Sequence, residues 1–146
     1  MVYIGIDPGA KGGWTVILDD KVVVNIWNEQ GFINDMKYLS DKKVVCCLEK
    51  VGAMPKQGVS STFKFGEEYG KIQGVLMALE IPYQTVTPQA WKREYNLIGT
   101  DKSKSIETAQ RLFPNVNLFP TPRCRKASDG MAESLLMAEY ARRRFS

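Results

Sequence analysis

Four carboxylates stand in segments whose composition is that of a protein interior. Asp7 closes the apolar run Val2-Tyr3-Ile4-Gly5-Ile6, and Glu49 closes a second, Val44-Val45-Cys46-Cys47-Leu48. Asp129 and Glu133 lie four apart at the head of the last helical segment, about 40° from each other around its axis, so both project from one face. An acid at the end of a strand ordinarily marks the exit into solvent, and Asp129 alone would be an N-terminal acid stabilised by the helix dipole. Glu133 fits that account less well, because Met131, Ala132, Leu135 and Leu136 surround it; Glu139 lies off this face and is expected in solvent. Two carboxylates at the same ends of neighbouring parallel strands repel each other and are costly to desolvate, so the set calls for a cation.

The 146-residue chain has no histidine. That removes the commonest general base and transition-metal ligand, and every Ser-His or Cys-His dyad. An all-oxygen ligand set suits Mg²⁺, with Mn²⁺ as its substitute. Two such ions roughly 3.5–4 Å apart can clamp a phosphodiester with no protein general base. Cys46 and Cys47 are adjacent and Cys124 is alone. They make neither a disulfide framework nor a paired metal site and are read as reduced thiols.

The elements that must position these acids follow from the apolar pattern. Val2–Ile6, Trp14–Leu18 and Val22–Trp27 read as strands, the last two a hairpin around Asp19-Asp20-Lys21, giving an antiparallel meander. Phe32, Met36 and Leu39 recur at helical spacing, and Lys43–Glu49, apolar on both faces, reads as a central strand. Residues 52–61 read as a polar loop, followed by a helix with the stripe Tyr69, Ile72, Leu76 and Leu79. A fifth strand is expected over Tyr83–Thr87, then helices from Pro88 to Tyr95 and from about Ser103 to Phe113, the latter capped by Thr100 or Asp101. Pro114–Lys126 reads as a loop and about Ser128–Arg144 as the closing helix. The sum is a mixed five-stranded α/β sheet with helices on both faces, in one domain over residues 1–146.

Charge is unevenly placed. The formal total is +4, from 20 basic and 16 acidic residues, and residues 121–146 carry six basic against three acidic, so +3 of it lies in the last 26 positions. A local basic surface of this kind suits a polyanion. No stretch approaches the ~18–20 apolar residues of a membrane span, and the first twenty residues lack a signal-peptide pattern, so a cytoplasmic protein with no membrane partner is expected.

Gly5-Ile6-Asp7-Pro8-Gly9 with Gly12-Gly13, then Leu48-Glu49, and finally Asp129-Gly130-Met131-Ala132-Glu133-Ser134-Leu135 resemble the acidic motifs of RuvC-type Holliday-junction resolvases, in particular their small phage-encoded relatives. The resemblance runs nearly end to end and implies an RNase H-like fold. It also implies a structure-selective endonuclease for four-way or other branched DNA that uses two Mg²⁺ ions, leaves 5′-phosphates and works as a C2 homodimer in a bacterial cytoplasm, that of the host if phage-encoded. Asp7, Glu49, Asp129 and Glu133 become the catalytic metal ligands. One departure concerns the closing helix: bacterial members carry two aspartates three apart, whereas here the pair is an Asp and a Glu four apart, with Asp129 displaced by one position.

The loop after Glu49 brings Lys56, Phe63, Lys64 and Phe65 toward the expected cleavage site. Either ring could stack on an unpaired base, Phe63 being preferred, or both could dock the following helix on the sheet. Lys102 and Lys104 flank Ser103 at a helix start, where amides and ammonium groups favour phosphate. Arg123, Arg125 and Lys126 immediately precede Asp129 and would place positive charge at the rim. Two other readings compete. Gly-x-Asp-x-Gly followed by Gly-Gly also resembles the first phosphate loop of actin-like and sugar-kinase ATPases, but 146 residues without a second such loop are too few to enclose a nucleotide. A non-catalytic branched-DNA-binding module of the same fold is the alternative that only an assay separates.

Overall fold

The computed structural model describes residues 1–52 and 58–146; Lys56 lies outside the described residues. Five strands, β1 (Val2–Asp7), β2 (Gly13–Leu18), β3 (Lys21–Ile26), β4 (Val44–Glu49) and β5 (Tyr83–Val86), form one sheet in the order β3-β2-β1-β4-β5. The β1–β2–β3 meander is antiparallel, whereas β1–β4 and β4–β5 are parallel. The expected mixed sheet is therefore present, with β1 and β4 at its interior.

The alternation of side chains along the strands separates two cores. Val2, Ile4 and Ile6 of β1, with Val44, Cys46 and Leu48 of β4, pack under α1 (Glu29–Leu39) and α2 (Val59–Ala78). Cys47 and Val86 face the other layer, made of α3 (Pro88–Glu94), α4 (Lys102–Leu112) and α5 (Asp129–Phe145). In the same alternation Asp7 and Glu49 belong to the α5 side. The register that sets Ile6 opposite Leu48 carries on to set Asp7 beside Glu49.

The helix starts agree with capping chemistry. Asn28, Thr87, Asp101 and Ser128 each accept a backbone N–H from the first turn of α1, α3, α4 and α5. Asp101, not Thr100, is thus the cap of α4. The helix α2 starts at Val59 on an extended Gly58, taking the last three residues of the expected loop, so Phe63, Lys64 and Phe65 are helical.

α5 lies unusually close to the sheet. A Cβ on Gly5 would fall 2.3 Å from the backbone of Ser134 and Ala138, so only hydrogen there lets the helix rest on β1. Thr15 and Ser134, both buried, share a hydroxyl hydrogen bond of 2.8 Å that ties the helix to β2.

Glu139 departs from expectation. It is buried and paired with Arg142 and Arg143, and Glu94 of α3 takes up Arg143 and Arg144. The arginine run, read from sequence as a complement to the helix dipole, instead fastens α5 to α3. A position off one helical face can still be internal when the helix is packed on more than one side, as α5 is by the sheet, α4 and α3. Among the described residues no helix is long and apolar enough to cross a membrane.

Candidate active site

Asp7, Glu49, Asp129 and Glu133 line one open cleft of about 760 Å³, together with residues 8–12, Val51, Phe65, Pro88, Lys92 and Lys102. Parallel strands β1 and β4 deliver the first two at their C-terminal ends, and the first turns of α5 deliver the others. Gly130 sets the closeness of the helix to the strand-end turn. A Cβ there would lie 2.1 Å from the Lys11 carbonyl oxygen and 2.8 Å from the Gly12 Cα.

Crowding shows in the protonation of the acids. Burial first, then the Glu49 and Glu133 carboxylates, push Asp7 up to about 9, with Lys102 acting in the opposite direction. Burial likewise raises Glu49, against the Trp91 hydrogen bond and the Lys92 and Lys102 charges. Glu133 is raised by burial and by Glu49. Carboxylates placed so that they resist ionisation together are what an added cation relieves.

Each of three acids also has a partner of its own. The indole Nε1 of fully buried Trp91 donates to Glu49 Oε2 at 2.8 Å. The Lys102 ammonium lies 2.9 Å from Asp129 Oδ2. Ser105 Oγ stands 3.5 Å from Glu133 Oε2, at the outer limit of a hydrogen bond. Turned toward these partners, the acids line one cleft but, among the described residues, no three of them are arranged to grip an ion as they stand. The donor set nonetheless fits a hard divalent cation: four carboxylates, no nitrogen or sulfur ligand, and mutual repulsion strongest at the central Asp7.

The expected basic and aromatic residues divide. Lys102 and Phe65 reach the cleft. Phe63 is 72% exposed on α2 and is not among the cleft residues. Lys104 pairs with Glu107, and Arg123, Arg125 and Lys126 stand exposed in the segment before α5, as does Lys64 on α2. Sequence reading missed Lys11, Trp91, Lys92 and Ser105. Trp91 and Ser105 carry no local signal: Trp91 is the one buried residue of a seven-residue helix, and Ser105 is a small polar residue on a polar helix. Lys92 could have been found from the parallel topology, because the helix after β5 starts at the strand end bearing Glu49 and the Lys92 ammonium lies 5.7 Å above the Trp91 ring.

No protein-family model matches the sequence, and no curated protein is similar to it. Solved structures are. The RuvC of Thermus thermophilus superposes with a TM-score of 0.61 over 98% of this chain and 96% of that one, at 18% identity. Thermus thermophilus RuvC in complex with a Holliday-junction substrate superposes with a TM-score of 0.53 over 100% of this chain and 98% of that one, also at 18% identity. The fold is therefore the RNase H-like fold of RuvC, as the sequence motifs led us to expect.

Proposed function

We propose that the chain, working as one nuclease domain over residues 1–146, is a structure-selective DNA endonuclease that cuts four-way and other branched DNA. The observation that carries this reading is the convergence of Asp7, Glu49, Asp129 and Glu133 on one cleft whose rim carries Lys92 and Lys102. The solved complex with the same fold, a RuvC on a Holliday junction, supports branched DNA as the substrate class.

Asp7, Glu49, Asp129 and Glu133 would hold two Mg²⁺ ions, with Mn²⁺ as substitute. When bound, such ions polarise the scissile phosphodiester and acidify the attacking water, leaving a 5′-phosphate. The protein's own part is positional. The indole of Trp91 orients Glu49, the Gly130 contact fixes the approach of α5, and the ammonium groups of Lys92 and Lys102 draw a phosphate to the rim. Phe65, beside the cleft, is assigned base stacking in preference to Phe63. Arg123, Arg125, Lys126, Lys104 and Lys64, with Lys56, supply sequence-independent contacts to the flanking backbone. The activity belongs with bacterial cytoplasmic DNA, the host's or a phage's.

Symmetric resolution needs two sites, and α2 offers the face for a second copy. Phe63, Gly66, Gly70, Gly74 and Met77 follow one another on one side of that helix. A Cβ on any of the three glycines would meet nothing within 4 Å, while Phe63 and Met77 are 72% and 67% exposed. The pattern is symmetric about Gly70. In an antiparallel pair Phe63 meets the partner copy's methionine, and glycine faces glycine at the close approach.

Matched four-way, three-way and linear duplexes incubated with Mg²⁺ test the activity. The four-way junction is expected to be cut fastest, and Asp7→Asn is expected to bind it without cutting. Equal cleavage by the variant refutes the metal site, equal cleavage of linear duplex refutes structure selectivity, and binding without cleavage by the wild type leaves the non-catalytic module. Gly70→Leu is expected to sediment as a monomer; an unchanged dimer would exclude the α2 face.

A further inference from the structure

The partners of the clustered acids differ in kind. Trp91 and Ser105 are buried neutral donors, fixed by packing. Lys102 is a cation on a flexible stem. Its side chain is 77% exposed, yet its ammonium lies against Asp129 and its charge also offsets Asp7 and Glu133. It is the first residue of α4, directly after the Asp101 cap, so the stem can turn away by side-chain rotation while the helix stays capped.

We propose that Lys102 is a resident stand-in for the metal: its ammonium neutralises Asp129 in the metal-free protein, gives that carboxylate up to an entering divalent ion, and is thereby freed toward a substrate phosphate. The inference rests on the metal-site reading above and goes beyond it by making metal entry and phosphate capture compete for one side chain. It accounts for one of the four acids in the cleft: Asp129 already faces a cation of the protein's own, whereas Glu49 and Glu133 face neutral donors. It also separates Lys102 from its neighbour Lys104, which pairs with Glu107.

Titration calorimetry with Mn²⁺, on the full chain without DNA, tests it. An exposed ion pair of this kind is worth about a two- to fivefold change in binding. Lys102→Met is expected to bind Mn²⁺ tighter by about that factor, and Lys102→Arg, which keeps the pair, to stay at the wild-type affinity. Lys21→Met, at the start of β3 on the far end of the sheet, controls for the loss of one positive charge and should leave the affinity unaltered. In an Asp129→Asn background the gain from Lys102→Met is expected to vanish, because there is no longer a carboxylate to contest. An unchanged or weaker affinity in Lys102→Met overturns the proposal. So does a gain that persists without Asp129, which would be a through-space charge effect. Absence of Mn²⁺ binding by the wild type overturns the metal site itself, and this inference with it, so the two failures are told apart. Thermal unfolding gives a second readout: Lys102→Met is expected to melt below the wild type in EDTA and to rejoin it in saturating Mn²⁺, and a deficit that Mn²⁺ leaves untouched counts against the exchange.

Discussion

Gly130→Ala adds one methyl group at the point where α5 meets the turn after β1. The added Cβ would lie 2.1 Å from the Lys11 carbonyl oxygen, against an ordinary contact distance of 3.4 Å, so the helix head and the turn must part by 1.3 Å. Both sides of that contact are backbone, and no side-chain rotation relieves it. Overpacking of this kind costs about 1–3 kcal/mol, but alanine is preferred to glycine in a helix by about 1 kcal/mol, which offsets part of the loss. Stability should therefore fall only slightly, by a few degrees in Tm. Activity has no such offset. Asp129 is adjacent to the new methyl and Glu133 one turn on, so their spacing from Asp7 changes, and a misplacement of about 1 Å costs on the order of a hundredfold in rate. The assay pairs a thermal melt with single-turnover cleavage of a four-way junction at saturating Mg²⁺. Cleavage within about threefold of wild type, on the same scale, would mean that this contact does not set the spacing of the acids.

Two further outcomes follow from the crowding of the acids. Asp7 is held at about 9 against an ordinary 3.8, so as pH rises above 3.8 the unfolded chain releases a proton that the folded one retains. Stability in EDTA should consequently fall by about 1.4 kcal/mol per pH unit until pH approaches 9, amounting to at most about 5 kcal/mol near neutrality. Urea melts at pH 4 and pH 7.5 should find Asp7→Asn close to wild type at the lower pH and clearly more stable at the higher, with added Mg²⁺ closing the gap; equal pH slopes refute the upward shift that burial and the neighbouring acids impose on Asp7. Trp91→Phe leaves a half-buried Glu49 oxygen without its donor and should cost about 1 kcal/mol by chemical denaturation, together with a loss of cleavage. Full stability would show that the indole hydrogen bond contributes nothing.

The meander, the parallel neighbourhood of the two acid-bearing strands and the meeting of the four acids were legible in the sequence because they depend on strong, short-range signals. Apolar runs of five or six residues ending in Asp7 and Glu49 fix which strands are interior, and a spacing of four fixes that Asp129 and Glu133 share a face. What stayed hidden depends on contacts between segments distant in the chain. Glu139 looks solvated from its own helix and is buried in the fold, and its arginine partners acquire their role only when Glu94 is brought beside them. Trp91 reads as one more core aromatic, and 42 residues separate it from the carboxylate it orients. The start of α2 was misjudged for a local reason: Ser60, Ser61 and Gly58 suit loops as well as a first helical turn.

The Trp91–Glu49 hydrogen bond gives the protein an optical reporter in the cleft of the four acids. The other two tryptophans, Trp14 and Trp27, stack edge to face with each other at 5.7 Å, and Trp14 donates to Asp35 under α1. Trp91 alone touches one of the clustered acids, with its ring shielded from solvent and its N–H aimed at the carboxylate. Its emission is therefore positioned to register paramagnetic quenching by Mn²⁺, with Mg²⁺ as the silent control. Ion arrival could then be timed in stopped flow without a label, independently of whether any DNA is cut.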